Sequence, residues 1–169
     1  MSARSRAGAA AQRAGSSFEV DLLAGYRPPH VHLQRTSPPW HYAMVKGVLT
    51  PIVDEDGVPD FHGAVDGRLV AFDAKSTKDT RWKLAMVKRE QAEHLAEVVK
   101  RGCIAGILVR FDGMMETYWL PWPALEPIYD AWRTGAALGL TKRGDASLTA
   151  ADCARIGWRV RGLAWWVAP

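Results

Sequence analysis

Read with period two, Arg68 to Lys75 is a β-strand, and Gly67 turns the chain back from a partner strand beginning near Asp60. Upstream, Phe18, Leu22 and Leu23 fall on one helical face and Gly25 follows as a stop, which predicts a first helix over Gln12 to Ala24. A short strand is expected at Val31 to Gln34. Arg35 to Pro59 breaks the pattern. Pro38, Pro39, Pro51 and Pro59 punctuate it while Trp40, Tyr42 and Met44 alternate between prolines, as in a projecting hairpin or arm. Beyond the Asp60–Lys75 pair, Val87, Gln91, Leu95 and Val98 form the inner stripe of a helix from about Met86 to Arg101, ended by Gly102. CIAGILVR, Cys103 to Arg110, is a continuous apolar run suited to a fully buried strand. Asp112-Gly113 turns the chain and Met115 to Leu120 returns beside it. There follow a helix over Trp122 to Trp132 offset by Pro127, a Gly-rich loop over 134–146, a short helix in SLTAADCARIG capped at Ser147 or Thr149, and a strand near Trp158 to Val160. Helix, strand, arm, hairpin, helix, strand, strand, helix is the order of an α/β sandwich with a mixed central sheet.

Composition narrows the class. Apolar residues make up 48% of the 169, too many for a disordered chain and enough for one domain with a real core. Residues 1–12, rich in Ala, Ser, Gly and Arg, read as a mobile basic tail, and 13–169 as a single domain carrying the arm at about 35–59. The net charge of +4 is concentrated between Lys75 and Arg101 and near the C-terminal end, which suits an anionic partner or simple solubility. Cys103 and Cys153 stand in unlike contexts without metal-ligand spacing, so both are read as reduced and structural, in a cytoplasmic setting. No apolar run approaches the roughly 20 residues of a membrane span. The five histidines show no zinc spacing, and His62 is a neighbour of the candidate site.

The chemistry lies in VPDFHGAVDGRLVAFDAKST. Asp73 and Lys75, two apart on one strand, project from the same face, and the hairpin brings Asp60 alongside. Two hard carboxylate ligands suit Mg²⁺ or Mn²⁺, and a lysine beside them can orient a water or stabilise a phosphate. The competing reading is a surface hairpin with a salt-bridged lysine.

The motif VPDF followed by FDAKST has the spacing of the PD-(D/E)XK nuclease superfamily. Together with Phe18-Glu19, Val31-His32 before the arm, Gln91 with His94 and Leu95, ILVRF, ETYWL and SLTAADCARIGWRV, it resembles the RecU-type Holliday-junction resolvases from about residue 15 to about residue 160. Two departures stand out: Asp73 where that family usually has glutamate, and an arm that looks shorter.

The resemblance implies a restriction-endonuclease-like sandwich with a projecting stalk. It implies a homodimer that binds a four-way DNA junction and nicks two opposed strands symmetrically with Mg²⁺, for which Mn²⁺ would substitute. Asp60, Asp73 and the carbonyl of Ala74 would hold the metal, with Glu19 joining directly or through water, or else a snorkelling edge residue. Lys75 would position the attacking water and Gln91 would serve the site or bond to backbone. Thr77, Lys78, Arg81 and Lys83 would contact phosphates, with Arg35 and Lys46 flanking the arm. Trp40 and Tyr42 would stack on opened bases or pack within the arm or a dimer interface. Trp119, Trp122, Trp165 and Trp166 are expected in the core or an interface. The alternatives are a restriction-like or repair endonuclease acting on linear duplex, and a non-catalytic DNA-binding protein on the same fold.

Overall fold

A computed structural model of the chain describes residues 18–24, 29–36, 40–45, 48–53, 58–136 and 147–161, with backbone alone over 40–45 and 48–53. The elements in order are helix α1 (18–24), β1 (Val31–Arg35), β2 (Trp40–Val45), β3 (Val48–Val53), β4 (Phe61–Val65), β5 (Arg68–Thr77) and β6 (Arg81–Lys83). A 3-10 turn (Leu84–Met86) leads into α2 (Arg89–Lys100), β7 (Ile104–Phe111), β8 (Glu116–Pro121), α3 (Trp122–Thr134), β9 (Ser147–Thr149), α4 (Ala150–Ile156) and β10 (Trp158–Val160).

The main sheet has six strands in the order β1-β4-β5-β7-β8-β10. Only β5 and β7 are parallel among these neighbours, and α2 supplies the crossover that a parallel pair requires. Asp66 and Gly67, at φ 49° and 74°, close the β4–β5 hairpin in the left-handed geometry that matches strand twist. Alternation along the strands sorts side chains onto two faces. Ile107, Val109 and Phe111 face α2, α3 and α4, meeting Leu95, Leu125 and Cys153. Phe72, Leu108 and Trp119 face α1, meeting Phe18, Leu22 and Phe61, with Phe61 and Phe72 stacked at 5.1 Å. The expected α/β sandwich with a mixed sheet is therefore the observed architecture.

Several local expectations change. Of the first predicted helix, 18–24 is helical and the part before it lies outside the described residues. Leu23 is 38% exposed rather than sharing the buried face of Phe18 and Leu22. The second helix begins at Arg89, because Leu84–Met86 closes as a tighter 3-10 turn, which leaves Val87 buried ahead of the helix. The β7–β8 connection runs from Asp112 to Met115, and Met115, at φ 52°, makes the left-handed turn in place of Gly113. Pro127 does not offset its helix. α3 runs on to Thr134 because Leu125, Ile128 and Tyr129 anchor it to the core on both sides of the proline. Ser147 does not cap a helix. It lies in β9, which pairs with β6 in a small sheet that the sequence pattern did not announce, while Thr149 caps α4 by accepting from the Asp152 N–H at 3.1 Å.

Within the predicted arm, β2 and β3 form a separate antiparallel hairpin from Trp40↔Val53 to Val45↔Val48. Lys46 and the pair Trp165-Trp166 lie outside the described residues. Trp119 and Trp122 are core residues, and Cys103 and Cys153 are unpaired thiols. Among the described residues no helix is long and apolar enough to cross a membrane.

Candidate active site

The site is made by a fork between two strands. β4 and β5 pair as far as Phe61↔Phe72 and then part. Beyond that point, carboxylates replace the ladder. The Asp60 N–H donates to Asp73 Oδ1 at 3.1 Å, and the Ala74 N–H donates to Asp60 Oδ2 at 2.9 Å. Backbone donors stripped of their strand partner must find others, and these two aspartates serve. A strand residue points its N–H and C=O to the same edge, so the Ala74 carbonyl also opens toward the gap. Asp73 and Lys75, meanwhile, stay registered on β7 opposite Ile107 and Val109.

Lys75 sits across the fork. Its Nζ lies 3.5 Å from Asp60 Oδ2 and 3.6 Å from Asp73 Oδ1. From α2, Gln91 Nε2 donates to Asp73 Oδ1 at 3.0 Å, and Gln91 Oε1 accepts from the Lys88 N–H at 3.1 Å. The second bond ties the amide to the first turn of α2, as in a capping box, and fixes which end faces the aspartate. Asp73 has no exposed surface, and its Oδ2 makes no hydrogen bond. Burial pushes its carboxyl up to about 7, with the Asp60 charge adding to the rise and the Lys75 ammonium opposing it.

Glu19 approaches from α1. Its Oε2 is buried and lies 2.6 Å from Arg35 Nη2, a charge contact without hydrogen-bond geometry. Burial and the nearby Asp60 raise its pKa, and Arg35 and Lys75 pull the other way, so Glu19 shares the electrostatic field of the fork. Arg35 ends β1 at the entry to the arm, and Asp60 marks its exit. The Thr36 N–H donates to the Asp60 carbonyl at 2.9 Å, and Thr36 Oγ1 shares a hydrogen bond with His62 Nδ1 at 2.9 Å. The arm therefore springs directly from the site. A cleft of about 300 Å³ opens there, with Arg35, Asp60, Lys75, Lys88 and Gln91 among its lining residues.

The donor set fits a hard divalent cation. Asp60 lines the cleft and the buried Asp73 shares Lys75 with it, and Asp73 Oδ2 and Glu19 Oε2 are buried oxygens without hydrogen-bond donors. The fit is partial as the side chains stand. Among the described residues no three Asp, Glu, His or Cys side chains converge closely enough to cage an ion, since Glu19 is drawn to Arg35.

The sequence profile of the Recombination protein U family, RecU, matches residues 40–143. The chain belongs to the RecU family. Among curated relatives, a Holliday junction resolvase RecU from Listeria monocytogenes is 28% identical over 83 residues, which cover 48% of this chain and 41% of the relative. One from a Geobacillus species is 26% identical over 118 residues, covering 69% of this chain and 58% of the relative. The chain thus spans about half the length of the curated relatives it matches. The solved structure of Hjc, a Holliday junction resolvase from Archaeoglobus fulgidus, superposes with a TM-score of 0.53 at 14% identity, covering 85% of this chain and 94% of Hjc. That likeness identifies the fold as restriction-endonuclease-like.

In this RecU-family chain Asp60, Asp73, Ala74, Lys75 and Gln91 meet at the fork, with Glu19 at its edge. The residues expected on phosphates are dispersed. Arg81 is committed to the small sheet, where Nε donates to Ser147 Oγ and Nη2 to the Ser147 carbonyl, both at 2.8 Å. Thr77 Oγ1 accepts from the Asp79 N–H at 3.1 Å and shapes the β5–β6 turn. Lys78 and Lys83 are exposed. Trp40 lies in β2 of the arm hairpin. One residue at the site escaped the sequence reading. Lys88 lines the cleft, and its spacing three before Gln91 is the available signal. Arg35, expected to flank the arm on DNA, also meets Glu19, and nothing local in sequence joins the two.

Proposed function

We propose that this chain is a structure-specific endonuclease that resolves four-way DNA junctions in the cytoplasm, acting as a homodimer in which each site hydrolyses one phosphodiester. The observation that carries the reading is Lys75 poised between Asp60 and a fully buried Asp73 that keeps one oxygen without a partner. Asp60, Asp73 and the Ala74 carbonyl would hold Mg²⁺, or Mn²⁺ in its place, with Glu19 contributing directly or through water. Such an ion, when bound, lowers the pKa of a water and polarises the phosphoryl oxygen.

The remaining steps belong to the chain. Lys75 donates to the attacking water or to the phosphate oxygen where charge builds up. Gln91 keeps Asp73 Oδ1 fixed so that Oδ2 faces the gap. Lys78 and Lys83 meet the DNA backbone beside the cut, and the arm, with Trp40 and Lys46, engages the branch point. Sequence-independent phosphate contacts of this kind make affinity fall steeply with salt.

The test is cleavage of a labelled four-way junction beside linear duplex of the same sequence, in Mg²⁺, Mn²⁺ or EDTA. Paired nicks on the junction, little cutting of duplex and none in EDTA are expected. Asp60→Ala and Lys75→Ala are expected to bind the junction without nicking it. Equal rates on junction and duplex would remove the resolvase reading, and cleavage by either variant at the parent rate would remove the site.

A further inference from the structure

We propose that Arg35 is a positioning residue that acts as an exchangeable latch on Glu19, releasing that carboxylate to the metal when a DNA phosphate takes the guanidinium. The inference rests on the proposed metal site and goes beyond it, because it makes metal affinity depend on bound DNA.

Three observations lead here. First, the Glu19–Arg35 contact is close but poorly directed. Oε2 is 2.6 Å from Nη2, yet no N–H is aimed at it. A bidentate, well-aligned pair would hold firmly, whereas a misaligned one is readily exchanged for a better partner. Second, the two side chains differ in exposure. The Arg35 side chain is 56% exposed and lines the cleft that leads to Asp60 and Lys75, while that of Glu19 is only 16% exposed. The arginine can therefore turn to an incoming phosphate, two of whose oxygens can be met at once by its planar fork of donors. The glutamate cannot turn to water as easily, and it would be left buried and charged. Third, Glu19 lies within the electrostatic reach of Asp60 and Lys75, and at the fork Asp60 and Asp73, which share Lys75, do not by themselves complete a cage. Phosphate arrival and metal binding then assist each other, and linkage makes the assistance reciprocal. Arg35 also closes β1 at the root of the arm, with Thr36 bonded to the Asp60 carbonyl, so a branch held by the arm delivers its phosphates to the latch.

The experiment is a double-mutant cycle read by calorimetric titration of Ca²⁺, which fills hard oxygen sites and permits binding to be measured without turnover. Without DNA, Arg35→Gln is expected to bind Ca²⁺ about tenfold more tightly than the parent, and Arg35→Lys about as the parent does. In a Glu19→Gln background the same Arg35→Gln change is expected to alter affinity less than about twofold. A saturating four-way junction, with its own Ca²⁺ uptake subtracted, is expected to tighten the parent about tenfold and Arg35→Gln less than about threefold. An equal gain from Arg35→Gln in both backgrounds would mean a long-range charge effect and would overturn the latch. So would the absence of any gain. Failure of the metal site itself is separable, because Asp60→Asn would then leave Ca²⁺ binding unchanged.

Discussion

Asp73 is held at a cost that a single isosteric change removes. The folded chain keeps a proton on this carboxyl up to about pH 7, whereas an ordinary aspartate releases it near 3.8. Because the folded pKa is the higher one, folding is favoured fully below the ordinary value and loses that advantage as pH rises to about 7. Each tenfold change in proton affinity is worth about 1.4 kcal/mol, so the metal-free protein forfeits roughly 4 kcal/mol by pH 8. Asp73→Asn removes the charge and keeps an Oδ1 that still accepts from the Asp60 N–H and Gln91. Its new amide stands where Oδ2 lacked a partner, which returns roughly 1–3 kcal/mol. We predict that Asp73→Asn is about 1–3 kcal/mol more stable than the parent at pH 8 in EDTA, that the gain fades to nothing near pH 5, and that nicking is abolished. Urea unfolding followed by the fluorescence of the buried Trp82, Trp119 and Trp122 measures it. A variant less stable than the parent at pH 8 without metal, or a difference that does not change with pH, would refute the reasoning.

Lys75→Met deprives both aspartates of their neighbouring ammonium, whose charge holds the Asp73 pKa down. In EDTA its stability should go on falling with pH above the range where the parent's levels off, which the same urea series detects. Gln91→Leu removes hydrogen bonds to a buried carboxylate and from the Lys88 N–H, so unfolding free energy should drop by about 2 kcal/mol, read from the urea midpoint. A Cβ at Gly63 would stand 2.0 Å from the His32 carbonyl oxygen, so Gly63→Ala must push β1 away from β4. It is expected to cost about 2–4 kcal/mol and to slow nicking, since β4 carries Asp60; unchanged thermal unfolding would contradict this.

The fold was legible where one face of an element is buried and its period is clean. Phe18 and Leu22, the Asp66-Gly67 hairpin and the apolar run of β7 each fix one element without help from elsewhere. Asp60, Asp73 and Lys75 were legible for the same reason, because a hairpin places its own residues together. What was missed depends on partners far apart in the chain. β6 and β9 pair from Arg81↔Thr149 to Lys83↔Ser147, far apart in the chain, and three-residue strands leave no period to read. The Arg35–Glu19 contact depends on α1 lying over the end of β1, which neither segment encodes alone. Pro127 misled because helix propensity is a local quantity, and the apolar face of α3 overrides it.

The surface-hairpin alternative makes a definite demand on Asp73, and that demand is not met. A carboxylate in an exposed strand pair would be solvated, held loosely by Lys75 and free to hydrogen-bond to water, with its affinity for protons scarcely altered. Here the side chain has no exposed surface, one of its oxygens lacks a donor, and its proton affinity is raised by burial. A partly satisfied buried charge pair is less stable than an apolar pair of the same shape, so structure alone does not account for it. The parting of β4 from β5 beyond Phe61↔Phe72 is not itself the cost, because the two carboxylates take up the Asp60 and Ala74 N–H groups there. The half-satisfied burial of Asp73 has one remedy. A divalent cation in the gap would supply the missing partner for Asp73 Oδ2, balance the second carboxylate and leave the Lys75 amine available to a water or a phosphate. The half-satisfied burial of Asp73 is therefore the strongest physical reason to read the fork as a ligand-holding site rather than as architecture alone.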